Sequence, residues 1–314
     1  MRYYFAPLEG ITDSIFRRLH HQYFPGISRY FTPFFSPTVH RSLTPREARE
    51  LPRADSLDFS VIPQLLTKNS DDFLWMAGQC RDLGYHEVNL NLGCPSGTVT
   101  AKGKGSGMLT DLAALDSFLY TVFASAPVDI SVKTRLGFAA KEEFHAILEI
   151  FNRYPIKELT IHPRVRNQFY NGSVDTEAFR YAVEHSTAPV CFNGNLNTTD
   201  DISKLSEDFP EVDTVMLGRG LIADPGMLTP GGTDRSALEL FYDSLLEEYL
   251  EAFGGSRNAM FRMKEHWRYL ICKFQGGEKL YKRLRKTTDL SEYIHITKQI
   301  FETLPLRDTV AADW

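Results

Sequence analysis

Asn89-Leu90-Asn91-Leu92-Gly93-Cys94-Pro95 is the stretch whose reading decides the fold. An apolar-alternating run from His86 to Leu92 stops at a Gly-Cys-Pro turn, which opens into Gly103-Lys104-Gly105-Ser106-Gly107. Alternation with a period of two marks a strand, and glycine and proline mark its end. A thiol therefore stands at the C-terminal exit of a strand, where a bent backbone lets a ligand approach; the plainer alternative is a turn cysteine that only packs. Outward from this run lie seven more short apolar runs, at 3–7, 28–34, 59–65, 129–134, 158–162, 190–193 and 214–217. Helix-period stretches separate most of them: 71–83 places Phe73, Leu74, Ala77 and Cys80 on one face, and 141–151 places Phe144, Ile147, Leu148 and Phe151 likewise. Eight strands alternating with helices predict an α/β chain built as a (β/α)8 TIM barrel. A doubly wound open sheet is the rival, but its first βα turn would carry a Gly-rich fingerprint. Here that turn reads Ala6-Pro7-Leu8-Glu9-Gly10.

The cluster Asp224-Pro225-Gly226 through Pro230-Gly231-Gly232 ends the βα pattern. Helix-period segments follow at 236–253, 258–274, 279–287 and 291–303. The expected organisation is a barrel over residues 1–234 and a C-terminal all-helical domain over 235–314. The charged, proline-containing segment 38–58 reads as a long loop or irregular insertion after the second strand.

At 314 residues the chain fits a barrel of about 250 residues plus a small extra domain. Its 43% hydrophobic fraction is enough for a sizeable core. Cysteines at 80, 94, 191 and 272 form no Cys-x-x-Cys pair, so no zinc or dithiol site is expected. Reduced thiols and a cytoplasmic location follow. No apolar run approaches a secretory leader or the roughly 20 residues that span a bilayer, so no membrane association is expected. A net charge of −5 argues against a wholly basic surface and leaves room for a local basic patch.

In a barrel the active site lies at the C-terminal ends of the strands. Polar residues gather there: Gln64; Asn91 and Cys94; Lys133 and Arg135; His162 and Arg164; Asn193-Gly194-Asn195; Gly218-Arg219-Gly220. The last two segments suit a phosphate, because glycine lets backbone N–H groups approach an anion and Arg219 adds a charged fork. An ordinary turn is the alternative for Gly218-Arg219-Gly220. No Gly-x-x-x-x-Gly-Lys-Ser/Thr loop occurs, which disfavours a nucleoside triphosphate. Lys133 has two readings. As a cation it would stabilise the anionic reduced ring of a flavin; as a neutral amine in a dry pocket it would form a Schiff base. Arg135, two residues on and on the same side of the strand, favours the anion-binding role. No further histidine or carboxylate stands at ligand spacing from His162, so no metal site is expected.

Asn-Leu-Gly-Cys-Pro, followed by Val99, Lys102, Gly105-Ser106-Gly107 and Leu109, resembles the signature of tRNA-dihydrouridine synthases. The resemblance extends through Ala6 to Asp13, Gln64, Val132-Lys133-Thr134-Arg135-Leu136-Gly137, His162-Pro163-Arg164 with Gln168, Tyr170 and Gly172, Asn193-Gly194-Asn195, and Leu217 to Gly220. It implies FMN held by Pro7, Leu8, Gln64, Lys133, His162, Asn193, Asn195, Gly218 and Arg219. It implies NADPH as electron donor, Cys94 as general acid and Asn91 as a contact to the target uracil in tRNA. Arg262 to Trp267 resembles part of the family's RNA-binding domain, less specifically, and Arg135, Arg262 and Lys264 are further expected substrate contacts. The family usually has an acidic residue where Asn195 stands; an amide still hydrogen-bonds a ribityl hydroxyl. Pro163 and Val165 replace a common Gly and Thr. No protein partner is evident.

The chemistry is coherent. C6 of uracil is conjugated to the C4 carbonyl and accepts hydride, and C5 then needs a proton. An ordinary thiol, with a pKa near 8.5, is mostly protonated at pH 7 and can deliver it. The rivals are a flavin-free barrel lyase using Lys133 as a Schiff-base amine and a non-catalytic RNA-binding protein on a barrel scaffold. Arg262, Lys264, Arg268, Lys273, Lys279, Lys282, Arg283, Arg285 and Lys286 concentrate positive charge in the helical segment, with Arg262, His266 and Tyr269 able to share a face.

Overall fold

The computed structural model describes residues 1–37 and 40–311, so Thr38 and Val39 of the expected 38–58 insertion lie outside the described residues. Among the described residues nine strands occur: β1 Arg2–Phe5, β2 Arg29–Phe31, β3 Val61–Ile62, β4 Gln64–Leu65, β5 Glu87–Leu92, β6 Asp129–Gly137, β7 Leu159–Val165, β8 Val190–Phe192 and β9 Thr214–Leu217. Their order is β3-β2-β1-β9-β8-β7-β6-β5-β4. Only Pro63 separates β3 from β4. The two ends of that order are halves of one strand, and the sheet closes on itself as an eight-stranded parallel barrel. Proline has no N–H for the ladder, which is why the strand breaks there. The Pro63 carbonyl still accepts from Asn89 N at 2.8 Å.

Each expected strand is found, and 214–217 coincides with β9. Parallel barrel strands are covered on both faces, and all six residues of β5 are buried. β6 runs beyond the expected 134 to Gly137, with a register shift between Arg135 and Gly137. The flanking helices start at side-chain caps. Asn69 accepts from Asp72 N ahead of the helix Ser70–Asp82, and Asp111 and Asp175 cap Leu112–Ser125 and Thr176–His185 in the same way. Such a cap contributes about 1 kcal/mol. The 70–82 helix buries Phe73, Met76, Ala77 and Cys80, with Met76 in the place expected for Leu74.

The 38–58 segment is more regular than expected. It contains a helix Pro45–Glu50 and a 3-10 turn Ala54–Ser56. Thr44 and Glu47 form a reciprocal capping box, with Glu47 N to Thr44 Oγ1 at 3.2 Å and Thr44 N to Glu47 Oε2 at 2.8 Å, and Pro45 sits at the first helical position. Both are helix-start signals.

The described chain forms two compact units. The first comprises Met1–Pro7, Ser28–Gly194 and Ser206–Met216 and holds nearly all of the sheet. At the N-terminal strand ends of this unit charges are paired: Arg2 with Asp213 at 3.0 Å, Arg29 with Glu87 at 3.1 Å, and Lys157 with Glu87 at 3.0 Å and Asp129 at 2.8 Å. Tyr4 Oη donates to Glu158 at 3.0 Å.

The second unit comprises Leu8–Ile27, Asn195–Leu205 and the chain from Leu217. It is not a single cut of the sequence near 235, because the helix Ser14–Tyr23 packs on the helix Arg235–Phe253. Phe16 meets Phe241 edge-on at 5.5 Å, and Tyr23 Oη lies 2.9 Å from Ser244 Oγ. Gly254, with φ 62°, ends the longer helix in the left-handed conformation that glycine adopts without strain. The helices Ser256–Leu270, Glu278–Lys286 and Leu290–Thr303 complete the unit around Trp267, whose Nε1 donates to Tyr293 Oη at 2.8 Å. Among the described residues no helix is long and apolar enough to cross a membrane.

Candidate active site

Cys94 is built into its turn from three sides. Asn91 Oδ1 accepts the N–H groups of Gly93 and Cys94, at 3.0 and 2.9 Å. Ser106 donates to the Cys94 carbonyl through Oγ at 2.8 Å and through N at 3.2 Å. Gly105, with φ 58°, packs so closely that a Cβ there would stand 3.0 Å from the Cys94 Cβ. The Gly-rich segment thus supports the thiol turn. Arg166 covers the same loop, donating to Pro95 O at 3.1 Å and Thr100 Oγ1 at 3.2 Å between the rings of Phe138 and Phe169.

Gln64 and Asn91 meet in the barrel interior, as part of a chain that runs on to Asn89 and Ser131. Asn89 and Ser131 were not singled out from the sequence. The signal was the period of two that puts Asn89 on the same side as Asn91, and Ser131 on the same side as Lys133.

Lys133 stands beside Asn91 in the β5–β6 register and makes no ion pair among the described residues. Burial, with the Arg135 guanidinium beside it, pulls its amine down to about 8. Arg135 is engaged with backbone: Nε donates to Gly93 O at 2.9 Å and Nη1 to Val165 O at 3.1 Å, and the Tyr170 ring lies 5.5 Å away. Arg164 donates to His162 Nε2 at 2.9 Å. Arginine only donates, so Nε2 accepts and the neutral ring carries its proton on Nδ1. Asn193 Nδ2 donates to Met216 O at 2.7 Å, leaving its Oδ1 as the acceptor end. Pro7 follows β1 and is partly exposed.

In the second unit, the Leu8 carbonyl accepts from Ile11 N and Thr12 N at 3.0 and 3.1 Å. Asn195 has φ 46°, which asparagine tolerates better than most residues, and Arg219 Nη2 lies 3.5 Å from its Oδ1. Gly220 packs against the Leu196 carbonyl, where a Cβ would come within 2.6 Å, and Gly218-Arg219-Gly220 opens the short helix Arg219–Ala223 with Gly218 at its N-cap.

Arg262 lies 3.8 Å from Asp13 Oδ2, and Lys264 Nζ donates to the Thr287 carbonyl. Two expected surface residues are interior. His266 is fully buried and stacks on Phe16 at 5.0 Å, so it does not share an exposed face with Arg262 and Tyr269. Burial holds its ring down to about 3. Lys273 is buried and paired with Asp224 at 2.7 Å, so it is not a free surface cation. Lys279, Lys282, Arg283, Arg285 and Lys286 are exposed. A groove of about 1540 Å³ is lined by Arg257, Lys264, Arg268, Lys282 and Arg285, with Glu265 and Glu278 among them, and by Phe261, which is 69% exposed. Arg257 and Phe261 were not singled out from the sequence. Among the described residues no group of His, Cys, Asp and Glu could hold a metal ion.

Comparison with known proteins places this geometry in a family. The family model described as dihydrouridine synthase matches residues 4–304. The chain is 27% identical to a probable tRNA-dihydrouridine synthase 1 of Synechocystis sp., over 96% of this chain and 86% of that protein. It is 26% identical to tRNA-dihydrouridine synthase B of Pasteurella multocida, over 71% of this chain and 67% of that protein. Among solved structures, morphinone reductase is similar with a TM-score of 0.51 at 11% identity, over 75% of this chain and 88% of that one; this likeness supports the TIM-barrel fold. The chain therefore belongs to the dihydrouridine synthase family, and is an enzyme of the flavin-dependent oxidoreductase class.

Proposed function

We propose that this chain reduces the C5=C6 bond of uridines in tRNA to 5,6-dihydrouridine, using FMN and NADPH. The observation that carries the reading is the Cys94 turn: a thiol at a barrel strand exit, its backbone held by Asn91, Ser106 and Gly105. When bound, reduced FMN supplies the hydride that C6 of uracil accepts. Cys94 gives the proton to C5. Such general acid catalysis contributes typically 10²–10⁴-fold. Arg135, through the Gly93 carbonyl, positions the turn.

The residues present fit a flavin. Lys133 is a cation without a counter-charge, suited to the edge of the ring that becomes anionic on reduction. Gln64 offers a donor, Asn193 Oδ1 offers an acceptor, and His162 stands at the end of β7, held by Arg164. Pro7 lies at the exit of β1. In the second unit, Leu8 sits in the turn that follows, and Asn195, Gly218 and Arg219 suit the ribityl chain and phosphate. The groove around Phe261 supports the helical segment, residues 235–314, as the tRNA-binding part; cations track phosphates and an exposed ring stacks a base. A tRNA substrate implies work in the cytoplasm.

The purified protein is expected to be yellow with stoichiometric FMN. Arg219→Ala is expected to weaken retention by about 1.5–3 kcal/mol, the worth of a charge-assisted contact. A colourless protein that takes up no FMN on reconstitution contradicts the reading. The lowered Lys133 amine also suits a Schiff-base lyase. Borohydride trapping of a carbonyl substrate on a flavin-free protein would favour that rival.

A further inference from the structure

Three lysines gather in the loops at the C-terminal end of the barrel. Lys68 follows β4, and Lys102 and Lys104 stand in the Gly-rich segment after β5. Lys104 is half-buried, and its Nζ donates to Ser36 Oγ at 2.8 Å. The Ser36 hydroxyl is oriented for this, because its own hydrogen goes to the Leu66 carbonyl at 2.9 Å. Lys68 reaches over Gly103, where a Cβ would stand 3.4 Å from its Nζ. Burial, and then the charges of Lys102 and Lys68, hold the Lys104 amine below the ordinary lysine range, while Asp72 opposes them. Asp72 is itself engaged by Arg41 at 3.4 Å. Among the described residues none of the three lysines makes an ion pair. Two exposed lysines alone would be a solvated surface. The third, half-buried and fixed on Ser36, turns them into a built cluster of like charge, which costs stability until an anion enters.

The anion that fits carries more than one charge and several acceptor oxygens. A phosphate monoester does, with about −1.5 to −2 charge at neutral pH and three terminal oxygens. A phosphodiester in an RNA backbone carries a single charge. We infer that Lys68, Lys102 and Lys104 bind the 2′-phosphate of the NADPH that reduces the flavin; the inference rests on the flavin and NADPH reading above. That phosphate alone distinguishes NADPH from NADH, and a cation beside the ribose is what accommodates it in dinucleotide sites. Lysine serves as a point charge on a flexible stem, which suits a phosphate group. The cluster also stands beside the chemistry, since Gly105 and Ser106, which follow Lys104 directly, hold the Cys94 turn. The Gly-rich segment thus has two uses. Its glycine and serine support the thiol, and its lysines select the electron donor.

The double variant Lys68→Gln, Lys102→Gln tests this, since both side chains are exposed and their loss leaves the core intact. Flavin reduction is followed by anaerobic stopped flow with NADPH and with NADH. The expected result is a rise in the Kd for NADPH of about 10-fold per lysine, with the limiting rate and the reaction with NADH unchanged. Isothermal titration of the purified protein with adenosine 2′,5′-bisphosphate and with adenosine 5′-monophosphate gives a readout apart from turnover. The wild type is expected to bind the bisphosphate at least about 10-fold more tightly, and the double variant to lose that difference. Equal use of NADPH and NADH by the wild type, or an unchanged Kd for NADPH in the variant, overturns the inference. A variant with an unchanged Kd for NADPH that instead loses salt dependence in tRNA binding, or retention of FMN, assigns the lysines to RNA backbone or to the flavin phosphate and overturns it as well. A flavin-loaded wild type that neither nucleotide reduces would instead overturn the underlying reading, and the bisphosphate titration then decides the lysines by itself.

Discussion

At the N-terminal end of the barrel Glu87 meets Arg29 and Lys157, at 3.1 and 3.0 Å; at the C-terminal end Lys133 makes no ion pair among the described residues. The neighbouring Arg135 is held by carbonyls, Arg164 donates to His162, and amides and a thiol stand beside them. Both ends are polar, yet they treat charge oppositely. Paired charges at one end serve stability. An unpaired, partly desolvated cation at the other costs stability and leaves a site able to bind an anionic group. The comparison can be broken residue by residue.

The largest effect is expected from Cys94→Ala. Uracil reduction should fall by about 10²–10⁴-fold while flavin reduction by NADPH and thermal stability stay nearly unchanged. Stopped flow separates the two half-reactions. Equal loss in both would make Cys94 structural.

Lys133→Met should abolish function and yet stabilise the FMN-free protein. The Lys133 amine lies at about 8 in the folded chain against an ordinary 10.5. The unfolded chain therefore binds more protons between those values. The cost of the charged lysine is fully present below about 8 and is relieved as pH rises toward 10.5. The variant should gain at most about 3 kcal/mol at pH 7, and the gain should shrink through that window. Urea melts at several pH values check it, and a destabilised variant at pH 7 would refute the contrast between the ends.

Glu87→Gln should do the reverse, losing about 1–3 kcal/mol because Arg29 loses its carboxylate partner and Lys157 keeps only Asp129. Its half-reaction rates should match the wild type. A catalytic defect without a stability loss would contradict the division of labour.

The smallest effect concerns the second unit. Replacing Lys282, Arg283, Arg285 and Lys286 with Gln should flatten the salt dependence of tRNA binding. Removing one cation that neutralises a phosphate lowers the log–log slope by about 0.7–0.9. Arg283 also faces Glu292 at 3.8 Å, so it should contribute least. An unchanged slope would make this helix only a solubilising surface.

The barrel was legible because its strands carry local signals, apolar runs ended by turn residues, and eight of them recur with helices between. The strand-end residues were legible for the same reason: Cys94, Lys133 and His162 follow directly from where each run stops. Partnership was not. Nothing in the sequence near Lys273 announces Asp224, 49 positions away, and nothing near His266 announces Phe16. Both residues read as surface cations or polar face until tertiary packing buries them. Arg135 was placed correctly on its strand, but its carbonyl partners come from the turn after β5 and from the end of β7. The helix Pro45–Glu50 is a different case: Thr44-Pro45 and Glu47 carried the start signal, and the surrounding charge and prolines masked it.

The central claim is that the C-terminal end of this barrel reduces uridine in tRNA through Cys94. It is tested most directly by mapping dihydrouridine in tRNA from cells lacking this chain, complemented with wild type or Cys94→Ala. The account predicts that dihydrouridine disappears at one or more positions, returns with the wild type and does not return with the variant. An unchanged dihydrouridine map in cells lacking the chain, or full restoration by Cys94→Ala, would contradict it.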